Sequence, residues 1–169
     1  MEALEAILTR KSVRQFADKE VEQEKIDILM KAAMSAPSAI NKQPWVFYVI
    51  KSEEKKAEVN KYVTFGKYKS PIIIIPCTNS LNAIPLAHDL MYCDLGAATE
   101  NILLAAHSLG LGGVWCAVYP RKENMKKIAK AIGAPLGVMP YAALYIGYPS
   151  EDDKSKVKDK YKEKNVKVI

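Results

Sequence analysis

The stretch Pro37-Ser38-Ala39-Ile40-Asn41-Lys42-Gln43-Pro44-Trp45 decides how the rest of the chain is read. It begins where a helical pattern stops and ends where a hydrophobic run, Val46 to Ile50, starts. Turn chemistry alone would fill such a connection. This one instead sets three neutral hydrogen-bonding side chains, Ser38, Asn41 and Gln43, between two prolines. Each proline fixes its own φ and restricts the residue before it, so the loop is given a defined shape. Amide side chains carry both a donor and an acceptor, which suits the edge of a heteroaromatic ring of mixed polarity. No nucleophile stands beside a base here, and there is no metal-ligand set. On spacing alone, a helix-terminating loop with polar residues in water fits equally well.

Upstream of the loop, Glu22 to Ser35 reads as an amphipathic helix with Ile26, Leu29, Met30, Ala33 and Met34 facing inward. Before it, Arg10, Ser12 and Arg14 alternate in an extended or turning segment and so share a face. Two guanidiniums and a hydroxyl on one side suit a phosphate, because arginine presents planar forked donors; a solvated basic segment has the same pattern. Glu2 to Thr9 forms a short helix with Leu4, Ile7 and Leu8 on one face.

Downstream, Trp45 to Lys51 is a strand and Glu53 to Tyr62 a polar helix. Pro71-Ile72-Ile73-Ile74-Ile75-Pro76 predicts a buried central strand bounded by prolines. After a loop over Asn79 to Pro85, the longest helical pattern runs from Leu86 to Leu109 and closes at Gly110. Its small residues Gly96, Ala97, Ala98, Ala105 and Ala106 permit close approach of another helix, in this subunit or across a dimer. His88 and His107 lie on this pattern without ligand spacing and are read as structural. Gly112-Gly113 leads into a strand, Val114 to Tyr119, and is not a dinucleotide fingerprint because it follows a helix instead of opening one. A helix over Arg121 to Ile132 and a strand over Val138 to Tyr148 complete the body. The tail, Ser150 to Ile169, is charged and ends in the strand-like Val166-Lys167-Val168-Ile169.

A chain of 169 residues is most simply one domain. The longest apolar run, Pro71 to Cys77, is too short to span a bilayer, and the acidic, amphipathic N-terminus does not resemble a secretory signal. Cys77, Cys93 and Cys116 are odd in number and lack CxxC spacing, which argues against disulfides and zinc and for a cytoplasmic setting. The formal charge of +6 invites a nucleic-acid reading. Much of the excess sits in Arg10-Lys11-Ser12-Val13-Arg14 and the Lys-rich tail after Lys154, however, with acids interleaved in the tail and no basic stripe carrying aromatics. A small localised anion, such as one phosphate group, is the better match.

Four patterns occur in order: Arg10-x-Ser12-x-Arg14-x-Phe16; Ala36-Pro37-Ser38-x-x-Asn41-x-Gln43-Pro44-Trp45; Asp94 followed by Glu100-Asn101 and Gly110-x-Gly112; and Tyr145-Ile146-Gly147-Tyr148-Pro149. Together they resemble the nitroreductase family of flavoproteins in its shorter form, from about residue 3 to residue 160. The resemblance implies an α+β fold with a central, mostly antiparallel sheet flanked by helices, in an intertwined homodimer with FMN at the subunit interface. Residues 1–169 would form a single domain, with 150–169 as a tail crossing to the partner. Arg10, Lys11, Ser12 and Arg14 would bind the FMN phosphate and ribityl chain, helped from the tail by Lys156 or Lys158. The family commonly has a Lys and then an Arg at those tail positions, so which lysine acts is left open. Pro37, Ser38, Asn41 and Gln43 would reach the ring from the other subunit, and Ala117 and Val118 would lie along it with backbone N–H groups near N5.

Flavin chemistry needs no protein nucleophile and no metal, which agrees with their absence from the motifs. The resemblance implies a ping-pong exchange in which NADH or NADPH reduces FMN and a small electron-poor acceptor, such as a nitroaromatic or quinone, is then reduced. Alternatives within the resemblance are a non-catalytic or regulatory flavin-binding protein and a flavin-consuming or dehalogenating relative. The latter usually needs extra substrate-covering segments, for which only Thr64 to Ser70 and Asn79 to Pro85 are available. Outside it stands a basic interaction module without flavin.

Overall fold

The computed structural model describes residues 1–85 and 87–169. Its α-helices are α1 (Ala3–Thr9), α2 (Gln23–Met34), α3 (Glu53–Asn60), α4 (Leu90–Ser108) and α5 (Lys122–Ala131). Its strands are β1 (Trp45–Ile50), β2 (Ile72–Asn79), β3 (Gly112–Ala117), β4 (Val138–Pro140) and β5 (Ala142–Gly147). The strands form one antiparallel sheet in the order β1-β2-β5-β3, with β4 on the far half of β2. This is the α+β architecture expected from the sequence.

Strand alternation sends successive side chains to opposite faces, and both faces are covered. Ile73, Ile75, Val114, Cys116 and Tyr145 point to one side, where α3 and α5 close a core with Val59, Met125 and Ile128. Ile72, Ile74, Leu144 and Ile146 point to the other, against Ile26, Leu29 and Ala33 of α2 and Ile102, Leu103 and Ala106 of α4. The central position of β2 explains its unbroken run of isoleucines. In α2, Ile26, Leu29 and Ala33 are buried and Met30 packs against them, but Met34 is half exposed because the helix ends there.

Three predicted strands differ from those observed: the strand expected over Val114 to Tyr119 runs from Gly112 to Ala117, because Gly112 and Gly113 already pair with β5, and two others differ in extent. β2 continues through Pro76 to Asn79 instead of stopping at the proline. Pro76 lies where the partner of β2 changes from β5, paired with Ile72 to Ile74, to β4, paired with Cys77 to Asn79. Its carbonyl accepts from Tyr141 N–H at 2.8 Å, and its missing N–H faces that same gap, where no ladder bond is required. For the same reason the expected strand Val138 to Tyr148 is split at Tyr141 into β4 and β5.

The long helix also begins later than its hydrophobic pattern. Leu86 lies outside the described residues, and His88 sits in the turn before α4, not on the helix. At the other end Gly110 takes φ 75°, and the Leu111 N–H returns to the Ala106 carbonyl at 2.8 Å, as expected of a glycine C-cap. No described helix is long and apolar enough to cross a membrane.

Candidate functional site

The Arg10–Arg14 segment is held against the edge strand β3 by a close backbone approach. Val13 N–H donates to the Gly113 carbonyl at 3.0 Å, and Ser12 forms an isolated parallel bridge with Gly113. The Val13 side chain is buried over Gly112, where a Cβ would fall 2.5 Å from Val13 Cγ2. A side chain at residue 112 is therefore excluded, and Gly112-Gly113 has its physical reason. With Val13 turned inward, its neighbours Ser12 and Arg14 are left on the outer side.

The tail returns along this segment. Phe16 and Pro149 form an antiparallel bridge, Ala17 N–H donates to the Tyr148 carbonyl at 2.9 Å, and Ser150 N–H donates to the Gln15 carbonyl at 3.0 Å. Asp153 then fastens the next turn. Its carboxylate accepts from the Arg14 N–H at 3.3 Å and from the Ser155 hydroxyl, and lies 3.7 Å from the Lys11 ammonium. Lys11 also donates to the Ser155 carbonyl at 2.7 Å. Burial pushes the Asp153 carboxyl up, but the bonds from Ser155 and the Arg14 amide, with the charge of Lys11, together hold it below its usual value.

Between the two segments lies a cavity of about 380 Å³. Arg10, Lys11, Ser12 and Arg14 line one side; Lys154, Ser155, Lys156, Lys158 and Lys160 line the other. Among the described residues, no acidic side chain lines it. Glu100 stands behind, accepting from Arg10 Nε at 2.8 Å and so aiming that guanidinium from α4. Among the described residues, Arg14 and the four tail lysines have no carboxylate within ion-pair distance. Convergent cations without counter-charges are the chemistry that suits an anion. Both candidate tail lysines, Lys156 and Lys158, line it.

The Pro37–Gln43 loop is built differently. Ile40, Asn41 and Gln43 take φ values of 51°, 53° and 49°, in the left-handed region that β-branched isoleucine in particular avoids. Such positions cost on the order of 1–3 kcal/mol each and persist where the surroundings over-determine them. Here Ser38 Oγ accepts from the Gln43 N–H at 3.0 Å, and Asp94 of α4 accepts from the Ala39 N–H at 3.0 Å. Pro37, Ile40, Asn41 and Gln43 remain exposed, and neither amide side chain has a partner among the described residues. The loop does not line the basic cavity of its own chain.

Ala117 ends β3 and is exposed, whereas Val118 is buried and its N–H already donates to the Tyr141 carbonyl at 3.2 Å. Strand residues address alternate edges, and the Gly113 carbonyl faces the free edge, so Trp115 and Ala117 present their backbone groups there too. At about 3.4 Å per residue, Ala117 lies roughly 14 Å along this edge from Gly113. Its small side chain sits between Trp115, packed edge-on to Tyr141 with ring centroids 5.6 Å apart, and Tyr119, stacked on Tyr92 at 4.0 Å.

Three polar residues of α4 that the motif spacing picked out, but to which no task was given, are the organisers of the site. Asp94 holds the loop, Glu100 aims Arg10, and Asn101 donates to the Ala32 carbonyl at the end of α2 at 3.0 Å. Their signal in the sequence is polar side chains in an otherwise apolar helix. His107 is structural as expected: Nε2 lies 2.8 Å from Thr9 Oγ1, and burial, then the charge of Arg10, holds the ring below its usual pKa. Cys116 is a packing residue; burial raises its thiol to about 11, so it stays protonated. No group of three metal-ligating side chains occurs among the described residues.

Comparison with known proteins agrees with these features. The model of the family described as "Nitroreductase family" matches residues 7–66 and 65–148. A curated protein of Archaeoglobus fulgidus, named "Putative NADH dehydrogenase/NAD(P)H nitroreductase", is 40% identical over 154 residues, covering 89% of this chain and 87% of its own. A crystal structure of a protein of the same name from Bacteroides thetaiotaomicron superposes with a TM-score of 0.90 at 36% identity, covering 98% of this chain and 96% of that one. A nitroreductase structure from Desulfovibrio desulfuricans, described as a complex with FMN, gives 0.77 at 28% identity, covering 95% and 93%.

Proposed function

The chain belongs to the nitroreductase family, and from that premise we propose that it is an FMN-dependent oxidoreductase that takes electrons from NADH or NADPH and passes them to small electron-poor acceptors. The observation that carries the reading is the cation-lined cavity with no acidic lining beside Gly112-Gly113, at the start of a free strand edge. A phosphomonoester with an extended chain and a flat ring matches that shape: anion in the cavity, ring along the edge toward Ala117. The D. desulfuricans relative, described with FMN, supports the choice of ligand.

In this reading Ser12, Arg14 and one or both of Lys156 and Lys158 hold the phosphate. Arg10 is pre-aimed by Glu100, and Lys11 ties the tail to the cradle, so the donors are in place before the ligand arrives. Ala117 offers the ring an edge-facing backbone amide; Val118, whose N–H is already used, supports the strand from the core side. Bound FMN supplies the redox chemistry, and the protein's part is to orient it, tune it and shape the space above it. A single pocket serving donor and acceptor in turn gives the ping-pong order.

A homodimer completes the site. Pro37, Ser38, Asn41 and Gln43 are not among the residues that line their own chain's cavity, and the strained backbone and unpartnered amides of Asn41 and Gln43 suit a surface that receives a ligand. They would reach the ring bound to a second copy. Leu4, Ile7 and Leu8 of α1 are more than half exposed, as are Val166, Val168 and Ile169, which gives two apolar surfaces for the partner to cover. Lys154 to Lys160 lie beside the Arg10–Arg14 segment, and in this reading the apolar segment beyond them is the part of the tail that crosses to the partner.

The test is the visible absorption spectrum of the purified protein before and after anaerobic addition of NADH or NADPH. A flavin spectrum that bleaches with either donor is the expected result. A colourless protein that takes up no added FMN would overturn the proposal.

A further inference from the structure

The cavity holds more positive charge than one FMN phosphate requires. A phosphomonoester carries about −1.5 to −2 at neutral pH. Arg10 and Lys11 are matched by Glu100 and Asp153, but Arg14, Lys154, Lys156, Lys158 and Lys160 are not. With Arg14, Lys156 and Lys158 given to the FMN phosphate, Lys154 and Lys160 remain as unmatched cations on the tail side of the same cavity. Lys154 follows directly on Asp153, whose carboxylate is nearly buried and bonded to the Arg14 amide, so this side is anchored to the cradle.

Resting on the proposed FMN site, we infer that Lys154 and Lys160 form a second anion subsite that reads the electron donor and favours NADPH over NADH. The two donors share nicotinamide, riboses and diphosphate and differ by one phosphomonoester. Uncompensated positive charge is one means of telling them apart, because it favours the donor that carries the extra phosphate. Unmatched cations at a concave, acid-free surface also speed encounter with the more highly charged ligand, an effect that added salt removes.

The experiment uses the FMN-loaded protein. NADPH should exceed NADH in kcat/KM by roughly tenfold at low ionic strength, with the ratio falling toward one in about 0.5 M salt. Lys154→Gln/Lys160→Gln should bring the ratio to within about twofold, mainly through the KM for NADPH, while retaining wild-type FMN stoichiometry. Lys154→Arg/Lys160→Arg keeps the charge and should keep the preference. By calorimetry, adenosine 2′,5′-bisphosphate should bind the wild-type holoprotein more tightly than adenosine 5′-monophosphate, and the glutamine variant should lose that difference. A yellow protein that treats both donors alike at low salt, or whose preference survives the glutamine variant, would overturn the subsite alone. A protein that takes up no FMN would overturn the proposed function and the subsite with it.

Discussion

Replacing Gly112 with alanine tests whether close packing, not charge alone, places the proposed phosphate cradle. The new Cβ would lie 2.5 Å from Val13 Cγ2, 2.6 Å from Val13 Cβ and 2.9 Å from Val13 Cγ1. All three are under van der Waals contact, so either β3 or the Arg10–Arg14 segment must shift. Overpacking of this kind costs about 1–3 kcal/mol. For a chain of this size that corresponds to roughly 2–12 °C in melting temperature. The segment is the softer side, held to β3 by one bridge and the Val13 hydrogen bond, whereas β3 pairs with β5 along its whole length. The shift should therefore move Ser12 and Arg14, and FMN affinity should fall at least about tenfold, equivalent to 1.4 kcal/mol. The assay is a fluorescence titration of FMN into apoprotein, with thermal melts in parallel. A buried Leu144→Ala on β5 serves as a control, losing about 2–5 kcal/mol of stability with FMN affinity kept in the folded fraction. Val13→Ala should not rescue Gly112→Ala, because Val13 Cβ itself is in the clash. A Gly112→Ala protein that melts normally and binds FMN as wild type would refute this account.

Arg14→Glu reverses an unmatched cation in the cavity and should abolish flavin retention; an equally yellow variant would remove Arg14 from the phosphate site. Asp94→Ala leaves the Ala39 N–H without its partner and should destabilise the protein by about 1–3 kcal/mol. It should also raise the KM for acceptors, with Asp94→Asn much milder; melts and steady-state kinetics decide. The Asp153 carboxyl is held below its ordinary value, so its stabilising contribution is present above the usual carboxylate range and lost as pH falls through the lower folded value. Limited proteolysis between pH 6 and pH 3 should show the tail released on acidification, and Asp153→Asn should release it at every pH. Truncation after Pro149 should lose flavin binding and weaken dimerisation together, while truncation after Lys160 should affect dimerisation alone. Identical behaviour of the two truncations would show that the tail does not divide at Lys160.

What was legible in the sequence was whatever a short-range rule controls. The isoleucine run announced a central strand, Gly110 closed its helix, and alternation in Arg10-x-Ser12-x-Arg14 put the cradle on one side. What escaped depended on a distant partner. Pro76 looked like a strand end because a proline removes a ladder donor; only the change of partner from β5 to β4 leaves that donor unneeded. Tyr141 interrupts a continuous hydrophobic pattern because its N–H is claimed by Pro76. The left-handed turn at Ile40 runs against local preference, and nothing nearby in the chain betrays it; the Ala39–Asp94 bond joins residues 55 positions apart. The approach of Lys156 and Lys158 to the Arg10–Arg14 segment was expected through the resemblance alone, and the Asp153 clamp that fastens the two ends of the chain was not legible locally.

The helix α4 explains why these distant pieces meet. At 100° per residue, Asp94 and Asn101 fall on nearly the same face, about 10 Å apart along the axis, and Glu100 projects a third of a turn away. The first two address the α2 side, one fixing the end of that helix and the other the loop that follows it. Glu100 addresses the α1 side and fixes Arg10 directly after α1 ends. Shifting one of these side chains by a single position would rotate it by 100° away from its target, so the spacing Asp94, Glu100, Asn101 is set by geometry. A buried helix thus positions the two segments proposed to bind FMN with three polar groups, none of which is among the described residues that line the cavity. The loss of any one should appear first in where a segment sits, and only through that in what the site binds.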